Sequence, residues 1–82
     1  MVLLVLIVLA AVAGLGDARA VEALVARLKD DDFEVRRTAL RALAEVAEKG
    51  DARAVQAVVA RLKDADRLVR EEAAELHRAW GS

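Results

Sequence analysis

The chain has 82 residues, 57% apolar, 33% charged and only 2% aromatic, with a formal net charge of -1 and no cysteine. Without cysteine there is no disulfide framework, thiolate metal site or cysteine nucleophile, and near-zero net charge gives no global field to attract nucleic acid or an anionic membrane. Ala, Val and Leu set against abundant charge read as all-α, in one domain too small to build a thick core alone.

Residues 1–16 carry no charge, so all 13 basic and 14 acidic side chains lie between Asp17 and Arg78. The segment 1–15 reads as an apolar helix. The next helix starts after Gly16, with Asp17 placed to accept hydrogen bonds from free N–H groups of the first turn. Val21, Leu24, Val25 and Leu28 follow at helical spacing. The run Lys29-Asp30-Asp31-Asp32 breaks that pattern, and Asp32 can cap the following helix. There Val35, Ala39, Ala42, Leu43 and Val46 form one apolar stripe, and Leu40, Ala44 and Ala47 a second. Gly50 is placed to end it in the left-handed conformation. Two further helices are expected at about 51–63 and 66–80.

The chain repeats itself. Residues 16–30 match 50–64 at 13 of 15 positions, a period of 34; only Glu22/Gln56 and Leu24/Val58 differ. Asp32/Asp66, Val35/Val69, Arg36/Arg70 and Ala39/Ala73 extend the agreement. Each repeat is a helix hairpin, and two apolar stripes on one helix suit an internal position in a solenoid. Val69, Ala73, Leu76 and Trp80 keep the first stripe in the last helix, but Ala44 has become Arg78. The second stripe is therefore expected to face the following repeat and to turn polar at a C-terminal cap.

The matching segments are Gly16-Asp17-Ala18-Arg19-Ala20-Val21-Glu22-Ala23-Leu24, Leu28-Lys29-Asp30-Asp31-Asp32 and Glu34-Val35-Arg36-Arg37. Together they resemble HEAT-like repeats, in particular the short form of phycobilin lyase-type proteins and of consensus-designed repeat scaffolds. The resemblance covers residues 16–80. It implies pairing of a loop aspartate with an arginine early in the second helix, Asp32 with Arg36 and Asp66 with Arg70. It also implies interaction in place of chemistry. The family's usual proline after the capping aspartate is missing, with Ala18, Phe33, Ala52 and Arg67 in its place.

Shifted by 34, residues 1–16 align with 35–50. Leu6/Leu40, Leu9/Leu43, Ala10/Ala44, Val12/Val46, Ala13/Ala47 and Gly16/Gly50 agree. The expected fold is thus all-α, a HEAT-like α-solenoid of about two and a half repeats and five helices. The single domain 1–82 divides into a half-repeat helix 1–15, repeat 1 at 16–49 and repeat 2 at 50–80. The differences run one way. Val2, Leu3 and Leu4 stand for Arg36, Arg37 and Thr38, and Ile7, Ala11 and Leu15 for Arg41, Glu45 and Lys49. A face expected to be solvated in the internal copy has become apolar. The first stripe, Val5, Val8, Leu9 and Val12, would in addition pack on a preceding helix that the chain lacks.

In a monomer these side chains would expose on the order of 600–900 Å², more than the largest apolar patch of a typical monomer. Hiding that area is worth at most roughly 15–20 kcal/mol, less association and ordering costs. The expected function is therefore structural. Copies bury this helix against one another in a symmetric homo-oligomer, a ring or small closed shell, as in an idealised designed scaffold. The interface residues are Val2, Leu3, Leu4, Val5, Ile7, Val8, Ala11, Val12 and Leu15. The alternative is a repeat module that docks a different protein.

Other readings are weaker. A secretion signal would need a positive n-region, which is missing. Fifteen residues span about 22 Å, short of a roughly 30 Å hydrocarbon core. His77 is the only histidine and replaces Leu43 at the edge of a core stripe, so no metal site is expected. Glu71, Glu72 and Glu75 read as a solvated face beside Arg70 and Arg78. Arg36, Arg37 and Arg41 are interleaved with Glu34, Glu45 and Glu48, against a nucleic-acid ridge. No phosphate loop is present, and the one serine is Ser82. No catalytic residue, cofactor, nucleic acid, membrane or small-molecule substrate is expected, and no compartment is indicated.

Overall fold

The structure, a computed structural model, describes residues 17–81. The half-repeat helix expected at residues 1–15, and with it the fifth helix, lies outside them. Among the described residues there are four helices and no strand: α1 (Ala18–Arg27), α2 (Phe33–Val46), α3 (Ala52–Arg61) and α4 (Arg67–Ala79).

Each helix starts where an aspartate can satisfy a free backbone donor. Asp17 accepts from the Ala20 N–H at 3.0 Å and Asp51 from Ala54 at 3.0 Å. Asp32 accepts from Glu34 at 2.8 Å. Asp66 accepts from both Leu68 and Val69, at 2.8 and 3.1 Å. These are the caps read from the sequence.

The end of α2 differs from expectation. It stops at Val46, and Ala47 turns to an extended backbone with ψ 136. Gly50 does adopt φ +88, but as the third residue of a separate turn closed by Asp51 N–H to the Glu48 carbonyl at 3.0 Å. A positive φ at that turn position favours glycine. The glycine that follows a helix terminus with positive φ is Gly81, at the end of α4.

α1 packs on α2 and α3 on α4 as two hairpins, with α1 beside α3 and α2 beside α4. Two layers result, and the core lies between them. Leu24, Leu40, Leu43, Val46, Val58 and Val69 are its largest fully buried side chains. All five first-stripe residues of α2 are buried: Val35, Ala39, Ala42, Leu43 and Val46. Burying each Leu or Val contributes roughly 1.5–3 kcal/mol, the force that pairs helices too short to be stable alone.

The second stripe needs a correction. Leu40 and Ala47 are buried, but Ala44 is exposed although a repeat follows it. At that edge the Glu72 carboxylate of α4 lies 3.0 Å from Arg41 Nε and 3.6 Å from Arg37 Nε of α2. The change from Ala44 to Arg78 therefore replaces one exposed side chain by another.

Candidate functional site

The densest polar construction is the seam between the two hairpins. Its centre is Asp64, the only buried charged residue among those described. The Arg36 guanidinium grips it as a fork, Nε to Oδ2 at 2.9 Å and Nη2 to Oδ1 at 3.0 Å. Nη1 of the same arginine donates to the Asp30 and Asp31 carbonyls at 2.7 and 3.0 Å. Arg61 adds a bond to Asp64 Oδ2 at 3.2 Å and reaches back across the seam to the Leu28 carbonyl at 3.0 Å. The Asp66 N–H donates to Asp64 Oδ1 at 2.9 Å.

Burial, the largest single influence on the Asp64 carboxyl, pushes its pKa up. The hydrogen bonds from Arg36 and the Asp66 N–H, with the charges of Arg36 and Arg61, outweigh it and hold the group below its ordinary value of 3.8. Asp64 is thus a carboxylate at neutral pH, and its bonds account for both oxygens.

Pairing of Asp32 with Arg36 and of Asp66 with Arg70, implied by the resemblance, does not occur. Asp32 and Asp66 are committed to capping their own helices. Arg36 bypasses Asp32, binds the loop carbonyls and reaches the next repeat; Arg70 donates to the Asp64 and Ala65 carbonyls at 2.7 and 3.0 Å. The seam pair Arg36–Asp64 was not read from the sequence. Its signal was the recurrence of Asp30/Asp64 and Arg36/Arg70 at the 34-residue period, which marks both groups as structural.

Two outer clasps flank this centre. Arg53 of α3 pairs with Glu22 of α1. Arg41 Nε lies 3.0 Å from Glu72 Oε1, and Arg37 Nε 3.6 Å from the same oxygen, too far for a hydrogen bond and otherwise unpartnered. The face carrying Arg37 and Arg41 is therefore partly a seam between repeats and not wholly solvated, as had been expected. Glu45 and Lys49, farther along it, are exposed.

All nine expected interface residues, Val2 through Leu15, lie outside the described residues. A shallow groove of about 290 Å³ between the starts of α1 and α3 is lined by Ala18, Val21, Asp51, Ala52 and Arg53. It holds no nucleophile or acid–base pair beyond the Asp51 carboxylate, which caps α3. Among the described residues no cluster of three metal-ligating side chains occurs, and no helix is long and apolar enough to cross a membrane. His77 is half-buried on α4.

The sequence profile for HEAT repeats matches residues 4–77, beginning inside the apolar segment and running to the last turns of α4. No curated protein and no solved structure matches the chain.

Proposed function

This chain belongs to the HEAT-repeat family, and on that premise we propose that it is a non-catalytic structural protein that assembles with copies of itself through residues 1–15. The two hairpins are read as a stretch of α-solenoid, and residues 1–15 as the second helix of a half-repeat placed before them. The family's members mostly serve as binding scaffolds, which favours interaction over catalysis.

One observation carries the reading. Glu45 and Lys49 are exposed on α2, and their counterparts one period earlier are Ala11 and Leu15. Nothing about an internal repeat calls for apolar side chains there. The buried stripe of α2 also has counterparts in Val5, Val8, Leu9 and Val12. In the internal repeat both α1 and α4 pack on α2. Here α1 is already engaged by α2, and α3 by α4. On the reading proposed here another copy supplies the cover for the N-terminal stripe, as a closed ring or shell would do for every copy. The near-identical repeats fit an idealised, designed array.

The variant Ala11→Glu/Leu15→Lys tests this. It restores the residue types that the internal repeat carries on its exposed face, so it costs a monomer little. Light scattering coupled to size exclusion should show the assembly dissociating while far-ultraviolet circular dichroism keeps its helical signal. An unchanged assembly mass in the helical variant would remove residues 1–15 from the interface.

A further inference from the structure

The layer formed by α1 and α3 is charged differently from the rest of the molecule. Residues 17–29 and 51–63 carry six basic and three acidic side chains, whereas the remainder carries seven and eleven. All three acids are spent: Asp17 and Asp51 cap their helices, and Glu22 pairs with Arg53. Arg19, Arg27, Lys29 and Lys63 are exposed and have no ion-pair partner among the described residues.

These charges are ordered. Arg19, Glu22, Ala26 and Lys29 follow at helical spacing on one side of α1 and the turn after it, all exposed. Arg53, Gln56, Ala60 and Lys63 repeat that row on α3, again all exposed. The two helices pack side by side, and the Glu22–Arg53 pair bridges the rows. Each row runs about 15 Å between its cations, and the rows lie roughly 8–10 Å apart. Cations therefore stand at both ends of a floor of alanine. This is the outer side of the layer, turned away from α2 and α4, and not an end on which another repeat would stack. Lys29 and Lys63 suit the negative ends of their helices. Arg19 has no such reason. It sits in the first turn of α1, at the positive end, with no acidic residue in that turn. Glu22 relieves its counterpart Arg53, but no carboxylate among the described residues relieves Arg19, and residues 1–16 contain none.

We infer that this face binds an acidic amphipathic helix of a different protein. Carboxylates about three turns apart on that helix meet Arg19 at one end and Lys29 and Lys63 at the other, and its small side chains between them lie on Ala26 and Ala60. The alanine floor favours a helix over a nucleic-acid strand, since Phe33 and Trp80 belong to α2 and the end of α4 and no aromatic ring is there to stack a base. A second copy fits poorly. The acids of α2 and α4 are interleaved with Arg41, Lys49, Arg70 and Arg78, all exposed, so each acidic row would bring cations onto cations. The site is separate from residues 1–15, and either interface can fail without the other.

The test titrates the isotope-labelled full chain, at about 0.15 M salt, with a stapled alanine helix of about 15 residues bearing glutamates toward both ends of one face. The same peptide with lysine for each glutamate and an oligothymidine of equal charge are the comparisons. The Ala23, Ala26 and Ala60 amide signals should shift with the glutamate peptide and stay still with the lysine peptide. The variant Arg19→Gln/Lys63→Gln alters two exposed, unpartnered side chains, and circular dichroism checks that it stays helical. It should weaken binding about fivefold, while Arg78→Gln on α4 should not. Signals unmoved by the glutamate peptide overturn the inference, as do tighter binding of the oligothymidine and an affinity indifferent to the Arg19/Lys63 variant. Shifts of the same amides with chain concentration alone would also overturn it, by making a second copy the occupant.

Discussion

Asp64 sits within the fork of Arg36, 28 residues earlier, with both carboxylate oxygens engaged at 2.9 and 3.0 Å. The loop of the second hairpin is thereby clamped to the second helix of the first. The side chains are 2% and 12% exposed, so the pair is largely withdrawn from water. Its worth lies less in net attraction than in the penalty for breaking it, because Asp64 without Arg36 keeps only Arg61 at 3.2 Å and the Asp66 N–H to offset its burial.

Removing one member should therefore be costlier than removing both. Arg36→Ala is expected to lower stability by about 3 kcal/mol, since Asp64 keeps its burial and loses its main donor. The double variant Arg36→Met/Asp64→Leu should recover much of that loss. Urea melts of the two single variants and the double variant give the coupling directly.

The same pair predicts an acid limb. Its folded-state pKa lies below the ordinary aspartate value of 3.8. The unfolded chain therefore binds the proton more readily, and stability rises with pH through this range. The contribution of Asp64 is complete above about pH 5, is lost as pH falls below the ordinary value, and is absent once the folded-state group protonates. Melts of the parent chain and Asp64→Asn between pH 2 and about pH 7 should converge at the acid end.

Capping should show a graded cost. Asp66 accepts from two backbone N–H groups and Asp32 from one at its helix start. Both alanine substitutions are expected to destabilise by about 1 kcal/mol, Asp66→Ala the more. Thermal melts of the two variants check the order.

Gly50 separates backbone cost from packing cost. A Cβ there would meet nothing within 4 Å, yet φ is +88. Gly50→Ala should cost about 1–2 kcal/mol from conformation alone. Leu24→Ala, at a fully buried core position, should cost about 3 kcal/mol through lost transfer energy and a cavity. Chemical denaturation of both variants measures the two terms.

The helices were legible because their signals are local. Asp17, Asp32, Asp51 and Asp66 announce the starts, and Val35, Ala39, Ala42, Leu43 and Val46 announce the buried face. The seam was harder to read, because Arg36 could pair with any of several nearby aspartates and sequence distance favours Asp32. Geometry decides otherwise, since Asp32 is spent on its own helix. Ala44 misled for a related reason: a small apolar residue fits a covered or an open edge equally well. The helix end was misplaced because Gly50 is required by a turn beyond α2 and not by the helix itself.

The measurement that bears most directly on the central claim is light scattering coupled to size exclusion on the full chain, without detergent. Burial of residues 1–15 between copies predicts a single sharp species at an integer multiple of the 8.8 kDa chain mass. A chain that elutes as a clean monomer would contradict it.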